Sequence, residues 1–299
     1  MKIFDCTPFF DETMMLDLRF NILNKYVDKF VIVEQLYTHS GEKKKQNFDI
    51  NNFSKFKDKI IYFLLEDEPK DLYEIDYNNP DHLPHIPGMK RMNSLKRINY
   101  QYNKLYEGLN EANDDDLILV SDCDEIPDLT KINLEKIRNE IILFEQKIFY
   151  YKFNLLHESI NWYGTKACKM KNLKSIEWLK YIKNKKYPFW RIDTFFSKKR
   201  YTNTKIINNG GWHFTNIKDY KDIYYKLKNY GEHNEFEQSN LSPEDIKQLV
   251  ENNYLYFNHD IDKTDANKYS SKIKLKKIDN DTLPAYLKDN LNKYNSWFV

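Results

Sequence analysis

Short, uninterrupted apolar runs punctuate the first 130 residues of the chain, and turn residues bound each of them. The runs that we predict to be strands cover residues 2–6, 30–34, 59–64 and 117–120. Runs of this length are typical of strands that are buried on both faces of a sheet. Residues 13–26 and 91–111 instead carry apolar side chains at helical spacing. This alternation predicts an α/β fold with a doubly wound, mostly parallel sheet.

The pattern of apolar positions changes in the second half of the chain. Residues 132–144 and 219–230 have the periodicity of helices, and the aromatic run at residues 147–156 predicts a strand. Turn and helix-start signals, in the form of glycine, proline and capping residues, occur at residues 162–164, 208–211 and 242–245. The second half is therefore expected to have a mixed organisation.

Two segments carry few signs of regular structure. Residues 66–88 contain four prolines and predict a long loop, and loops of more than ~12–15 residues are commonly functional. From residue 262 onward the chain is rich in Lys, Asn and Asp and poor in apolar residues, which predicts a loosely packed extension. We therefore expect a single domain over residues 1–260, followed by a C-terminal extension over residues 261–299.

Composition excludes several classes of protein. The formal net charge is +2 over 299 residues, so there is no broad electrostatic case for nucleic-acid binding. The three cysteines are widely separated and lack a zinc spacing, so neither a disulfide framework nor a zinc site is predicted. Charge follows Met1 at once, and no apolar run approaches the ~20 residues of a membrane span. We expect a cytoplasmic protein without a transmembrane segment, and leave peripheral membrane association and oligomeric state open.

The fourth predicted strand leads directly into the acidic segment Ser121-Asp122-Cys123-Asp124-Glu125, which Pro127 ends. In open α/β sheets, ligands bind just beyond the carboxyl ends of the strands. Side chains two residues apart in an extended segment project the same way, so Asp122 and Asp124 can face one point. Two carboxylates at one point repel unless a cation lies between them, and hard oxygen ligands suit Mg²⁺ or Mn²⁺. The motif predicts a metal site that holds a diphosphate; a solvated strand end or a helix cap is the alternative.

A second group of polar residues follows the second predicted strand. Glu34 ends that strand and lies on the predicted ligand side of the sheet. The polar loop after it contains His39, Ser40 and Gly41. This loop predicts contact with a nucleotide or a phosphate, with an ordinary surface loop as the alternative.

Several separated segments together resemble glycosyltransferase family 17, the bisecting N-acetylglucosaminyltransferase family. That family comprises β-1,4-mannosyl-glycoprotein 4-β-N-acetylglucosaminyltransferase and its microbial and viral relatives. The matching pieces are Asp5 with Phe9-Phe10-Asp11-Glu12, the helix with Leu16, Arg19 and Asn21, Phe30-Val31-Ile32-Val33-Glu34, Tyr37-Thr38-His39-Ser40-Gly41-Glu42-Lys43, Leu119-Val120-Ser121-Asp122-Cys123-Asp124-Glu125-Ile126-Pro127 and Gly211-Trp212-His213-Phe214. The combination of Ser-Asp-x-Asp-Glu-Ile-Pro with Tyr-Thr-His-Ser-Gly is more specific than either string alone.

The resemblance implies an A-type glycosyltransferase fold, a Rossmann-like, mostly parallel sheet flanked by helices with a mixed acceptor-side half. Residues 1–130 would form the nucleotide-sugar-binding half and residues 131–260 the acceptor half. The implied reaction uses UDP-N-acetylglucosamine as donor, Mn²⁺ or Mg²⁺ as divalent metal and a glycan hydroxyl as acceptor, and it inverts the anomeric carbon.

Within this framework, specific residues are expected to contact donor and metal. Arg19 and Arg97 are phosphate candidates because a guanidinium fork matches phosphate bidentately, with surface salt bridges as the alternative. His213 is expected to bind metal or diphosphate through a neutral imidazole, with a hydrogen-bonded core histidine as the alternative. The metal set is Asp122, Asp124 and His213, with Asp124 as the first choice. The donor contacts are Asp5, Arg19, Glu34, His39, Ser40, Arg97 and Asp122.

An inverting transfer also needs a carboxylate base that takes the proton of the acceptor hydroxyl. We expect this base in the second half of the chain. The residues alone leave three candidates open, namely Glu158, Asp193 and Glu235.

Three other functions are compatible with an acidic strand end. An Asp-x-Asp phosphohydrolase also places two aspartates after a buried strand, although it normally uses the first strand of the core. A nucleotidyltransferase would carry a glycine-rich phosphate loop near the N-terminus, and none is present in the sequence. A non-catalytic carbohydrate-binding protein could hold a structural cation at the same residues.

Overall fold

A computed structural model describes residues 1–184, 203–262, 265–269 and 273–299 of the chain. Its strands are β1 Ile3–Phe9, β2 Lys29–Gln35, β3 Ile60–Leu65, β4 Leu117–Val120, β5 Glu125–Pro127, β6 Ile141–Tyr150, β7 Leu155–Lys169, β8 Thr204–Ile207, β9 Gly211–Thr215 and β10 Lys276–Lys277. Its α-helices are α1 Thr13–Leu23, α2 Ile86–Lys104, α3 Ile176–Lys180, α4 Tyr220–Asn229, α5 His233–Ser239, α6 Pro243–Glu251 and α7 Ala285–Asp289.

Short 3-10 helices connect these elements, at Ile50–Lys59, Leu83–His85, Leu105–Leu109, Leu129–Lys131, Leu134–Lys136, Met170–Asn172, Ala266–Tyr269, Asn280–Thr282 and Leu291–Trp297. In the described part of the chain, no helix combines the length and the apolar character that crossing a membrane requires.

The ten strands of the described residues form one sheet with the order β3-β2-β1-β4-β7-β6-β9-β5, in which β10 also pairs with β7 and β8 with β6. Strands β1 to β4 run parallel, and β8 and β9 run parallel to β6. Strand β7 joins the two groups, because it pairs antiparallel with β4 and with β6. The predicted α/β class is confirmed, and the architecture agrees with the A-type fold that the resemblance implies.

Successive residues of the central strands face opposite layers of the core. Ile32 and Leu119 pack on the side that α1 covers, whereas Val31 and Ile118 pack on the side that α2 and α3 cover. All four side chains are fully buried. Burial on both faces explains why these strands are continuous apolar runs in the sequence. Since the strands are parallel, their carboxyl ends lie at one edge of the sheet.

The helix predicted for residues 132–144 is wrong. The last four of these residues, Ile141, Ile142, Leu143 and Phe144, begin strand β6. Ile142 and Phe144 pack in one core layer and Ile141 and Leu143 in the other. The apolar run is therefore that of a strand covered on both faces, which periodicity alone does not distinguish from a segment of a buried helix.

The turn predicted at residues 162–164 is also wrong, because these residues lie inside β7. A Cβ atom at Gly164 would come within 2.3 Å of the Gln146 Oε1 atom, so this glycine permits close packing of neighbouring strands rather than a turn. The chain reverses earlier, between β6 and β7, where Tyr151 has a φ of 63°.

The strand predicted for residues 147–156 is interrupted, because β6 ends at Tyr150 and β7 begins only at Leu155, whereas the remaining turn and helix-start signals are confirmed. The turn at residues 208–211 separates β8 from β9, and Asp219 caps α4 at the predicted start of that helix. Ser242 and Asp245 form a reciprocal capping box at the start of α6. The first two predicted helices correspond to α1 and α2, although α2 begins at Ile86, inside the predicted loop of residues 66–88.

The end of the chain packs more closely than its composition suggests. Leu283, Leu287 and Tyr294 are buried in the same core layer as the apolar residues of α1. The Val299 amide donates to the Asn154 Oδ1 atom at 3.0 Å. The expectation of a loosely packed extension is therefore wrong for residues 283–299, while the division of the chain at residue 260 stays a prediction.

Candidate active site

A cavity of about 400 Å³ opens at the carboxyl edge of the parallel strands. Phe9 and Gln35, at the ends of β1 and β2, line one part of it, and Asp122, just beyond β4, lies beside them. Lys226 of α4 and Glu232 line another part. The cavity therefore lies where the topology predicts a ligand, between the strand ends and the helical second half.

Asp122 is held by two direct donors within this cavity. The Tyr102 hydroxyl donates to its Oδ1 atom, and Lys180 Nζ donates to its Oδ2 atom at 2.8 Å. Lys180 also contacts Glu125 Oε2 at 3.3 Å. Burial opposes ionisation, but the Lys180 ammonium keeps the pKa of Asp122 below its usual value. Asp122 is thus a charged carboxylate with a cation of the protein already bound to it.

Asp124 has looser contacts. His213 Nε2 lies 3.5 Å from its Oδ1 atom, and Lys226 Nζ lies 3.7 Å from its Oδ2 atom. Strand β5 pairs with β9 in the register that places Glu125 opposite His213, which brings the imidazole to the acidic segment. Burial opposes ionisation, yet His213 and Lys226 lower the pKa of Asp124, while Asp124 raises the pKa of His213 against the effect of burial.

Arg19 fixes the acidic segment from behind. Its guanidinium donates to both Asp5 carboxylate oxygens, at 2.6 and 2.7 Å, and to the Ser121 Oγ atom at 2.7 Å. It also donates to the carbonyls of Asp122 and Glu125, at 3.2 and 2.7 Å. Arg19 and Asp5 are both 0% exposed, so neither can touch a ligand in the cavity. This corrects the prediction that they contact the donor: they position the segment instead.

Glu34 and Arg97 likewise support loops without lining the cavity. Glu34 is fully buried and accepts from the amides of Asn47 and Phe48, at 2.8 and 3.0 Å. Arg97 donates to Glu68 Oε1 at 2.6 Å and to the His39 carbonyl at 3.3 Å. Neither Glu34 nor Arg97 lines the cavity, and their direct donor contacts stay predictions.

Two residues of the loop after β2, His39 and Ser40, were predicted to contact the donor. Of these, His39 lines the cavity and Ser40 does not. His39 lines the cavity and places its Nε2 atom 3.4 Å from Gln101 Oε1. Burial lowers the pKa of His39 to about 4, so its imidazole is neutral at physiological pH. Ser40 instead donates to Asn229 Oδ1 at 2.8 Å, which ties the loop to the end of α4.

The structure brings none of the described base candidates into the cavity. Glu158 is exposed, pairs with Lys276 at 2.7 Å and borders a separate cavity of about 210 Å³. Glu235 is buried against Arg91 at 2.5 Å, and it is Arg91 that faces the main cavity. Asp193 lies outside the described residues.

Sequence reasoning missed two carboxylates and two lysines that line the cavity. They are Glu12, Glu232, Lys180 and Lys226. Glu12 lies in the Phe9-Phe10-Asp11-Glu12 string, directly after β1, so its position was an available signal. Glu232 follows α4, and its Oε2 atom pairs with the buried ammonium of Lys268, a contact that spacing along the chain does not reveal.

The side chains at Asp124 provide part of a binding site for a divalent cation. Among the described residues, no group of three or more His, Cys, Asp or Glu side chains is arranged to hold a metal. Asp124 and His213 both line the cavity, and a carboxylate oxygen of Asp124 faces a ring nitrogen of His213. Mg²⁺ is commonly held by one or two carboxylates together with substrate phosphates. Two protein ligands therefore suffice if water or a diphosphate supplies the others, and the metal stays a prediction.

Comparison with known proteins gives one result that identifies the chain. A search of curated proteins found no match. The model of the family described as Glycosyltransferase family 17 matches residues 1–298, which is nearly the whole chain and includes both sides of the cavity. The chain therefore belongs to glycosyltransferase family 17.

Proposed function

We propose that this glycosyltransferase is a metal-dependent, inverting enzyme that moves N-acetylglucosamine from UDP-N-acetylglucosamine to a glycan hydroxyl. The observation that supports metal dependence is the pair of ligand atoms on Asp124 and His213, which face each other at 3.5 Å in the cavity. The choice of donor sugar rests on the resemblance to the bisecting N-acetylglucosaminyltransferases. Family membership favours this reaction over the phosphohydrolase and the non-catalytic alternatives.

The proposed donor site uses charge that the protein already holds at the strand ends. Transfer leaves negative charge on the departing diphosphate, and a bound divalent cation would neutralise part of that charge. Asp124 and His213 would hold this cation, and Lys180 and Lys226 add two ammonium groups within the same cavity. Tyr102 and Lys180 fix the Asp122 carboxylate, which would contact the ribose or the sugar in this proposal.

The proposed base is Glu232. It lines the cavity, its side chain is 17% exposed, and Lys268 and the Tyr230 hydroxyl contact its carboxylate. These contacts would orient the carboxylate toward an acceptor hydroxyl bound in the cavity. Glu12 is the less suitable carboxylate, because its Oε2 atom accepts from the amides of Phe10 and Asp11 at 3.2 Å and its Oε1 atom lies 3.4 Å from Lys226 Nζ, whereas the contacts named for Glu232 fall on its Oε2 atom.

The first test is UDP release from UDP-N-acetylglucosamine with and without Mn²⁺. We expect Mn²⁺-dependent release, and we expect Asp124→Ala to slow it by about 10²–10³-fold, the loss typical of removing one stabiliser of transition-state charge. Asp115→Ala is the matched control, because Asp115 is an exposed carboxylate that pairs with Lys169 and Lys171. Phosphatase activity without any sugar transfer would contradict the proposal.

The second test concerns the base. Glu232→Gln keeps the shape of the side chain but removes its capacity to accept a proton, so kcat should fall by about 10²–10⁴-fold while donor binding persists. Glu158→Gln, outside the main cavity, should leave kcat unchanged. Transfer rates and UDP affinity measured on both variants check the assignment, and near-normal turnover by Glu232→Gln would show that the base lies elsewhere.

A further inference from the structure

Lys226 lies between two carboxylates at the wall of the cavity. Its Nζ atom is 3.4 Å from Glu12 Oε1 and 3.7 Å from Asp124 Oδ2. The neighbouring residues Ile223 and Leu227 are buried, so they anchor α4 and direct Lys226 toward the cavity. The ammonium is thus placed by the fold between Glu12 and Asp124.

The contacts of Lys226 differ from those of the other lysine in the cavity. Lys180 donates to Asp122 at 2.8 Å, which is the usual length of a charge-assisted hydrogen bond. Both distances from Lys226 exceed that length, so the ammonium balances charge without forming a short bond to either carboxylate. Asp124 is therefore the aspartate whose cationic partner is held more loosely.

Glu12 and Asp124 need a cation near them. Both side chains are largely buried, and a buried carboxylate needs a cation close to it, which Lys226 provides to both and His213 also provides to Asp124. Like charges in a site of this kind repel unless a cation lies close to them. Lys226 is the cation that lies between the two carboxylates, while His213 contacts the other carboxylate oxygen of Asp124.

We propose that Lys226 is a built-in counter-ion of the metal-free site, and that a divalent cation displaces it from Asp124. This inference rests on the proposed metal dependence. Once displaced, the ammonium remains tethered to α4 beside Glu12 and faces the same cavity that would hold the diphosphate. Lys226 would therefore stabilise the empty site and weaken the binding of metal alone.

The test is titration of Mn²⁺ into the full chain, without nucleotide, followed by calorimetry. Lys226→Met removes the competing charge, and we expect it to bind Mn²⁺ about tenfold more tightly than the wild type, a change equivalent to about 1.4 kcal/mol. Lys226→Arg keeps the charge and should bind Mn²⁺ no more tightly than the wild type. Lys228→Met, an exposed lysine on the same helix, should match the wild type.

Thermal unfolding provides a second readout that does not depend on activity. Without metal, the Tm of Lys226→Met should lie below that of the wild type, because Glu12 and Asp124 then lose the cation that lies between them. Saturating Mn²⁺ should raise the Tm of this variant by more than it raises that of the wild type. A Lys226→Met variant that binds Mn²⁺ no better than the wild type, or more weakly, overturns the inference.

The two proposals can fail separately. If the wild type needs Mn²⁺ for sugar transfer while Lys226→Met has unchanged Mn²⁺ affinity, the counter-ion role fails and the proposed function stands. If neither protein binds Mn²⁺ and transfer proceeds without it, both the counter-ion role and the metal dependence fail.

Discussion

The guanidinium of Arg19 lies behind the Asp122–Glu125 segment and gives it a fixed shape. It satisfies two backbone carbonyls of the segment, the Ser121 hydroxyl and the Asp5 carboxylate at once. A planar group with five donors suits this task, whereas an ammonium could not reach the same set of acceptors. The two aspartates of the motif are consequently presented to the cavity by a residue that never touches it.

We expect Arg19→Met to lower the free energy of unfolding by about 3–5 kcal/mol, the cost typical of breaking a buried ion pair. Asp5 would be left charged and fully buried, and the acidic segment would lose its support. Chemical denaturation checks the value, with Lys25→Met, an exposed lysine just after α1, as the control. A loss below about 1 kcal/mol would contradict the role assigned to Arg19.

The residues of the cavity were only partly predictable. Asp122, Asp124 and His213 reach one cavity, as expected from a strand end and a matching segment, and their roles stay predictions. Arg19 and Glu34 lie in sequence contexts that are typical of ligand-binding residues. In the structure they bind other residues of the protein instead, such as Asp5 and Asn47. The position of a residue in the sequence predicts that its side chain lies near a strand end. It does not predict how deeply that side chain is buried.

At the scale of elements, the loop after β2 depends on one glycine. Gly41 has a φ of 101°, and a Cβ atom there would come within 2.7 Å of the Arg97 guanidinium. Arg97 in turn donates to the carbonyl of His39, which lines the cavity. The conformation of Gly41 and the position of His39 are thus linked through Arg97.

We expect Gly41→Ala to destabilise the protein by about 1–2 kcal/mol, the cost of a left-handed conformation for a residue with a Cβ atom. It should also raise the KM for the donor, because His39 would shift. Gly88→Ala is the matched control: Gly88 lies in helix α2 with open space around it, so alanine should be neutral or stabilising by up to ~1 kcal/mol. Denaturation and donor kinetics on both variants test this, and equal behaviour of the two would contradict it.

Element type was predictable for the first half and not for β6 and β7. The central strands end at clear turn signals, and each is flanked by a helical stripe. Around β6, however, the apolar run at residues 141–144 follows polar residues whose spacing imitates a helix, and Gly164 serves strand packing rather than a turn. The pairing of strands that are distant in sequence determined the structure in both cases. The local sequence pattern carries no information about that pairing.

At the scale of the molecule, the C-terminal segment completes the core layer on the α1 side of the sheet. Leu287 of α7 is fully buried there. We expect Leu287→Ala to cost about 2–5 kcal/mol of unfolding free energy, as for other leucines in packed cores. Lys288→Ala, the exposed neighbour, should stay within about 0.5 kcal/mol of the wild type. Urea titrations of both proteins check the difference, and equal stability would contradict the packing role assigned to Leu287.

The packing of Leu283, Leu287 and Tyr294 against the layer of α1 also constrains how the protein is made. Ribosomes add about 5–20 residues per second, so α1 emerges roughly 10–50 seconds before the residues that cover its layer. During that interval the nascent chain exposes part of an apolar surface that it cannot yet bury. This core layer is therefore completed only after residues 283–299 have emerged, and we expect chaperones that shield hydrophobic surface to bind the growing polypeptide before then.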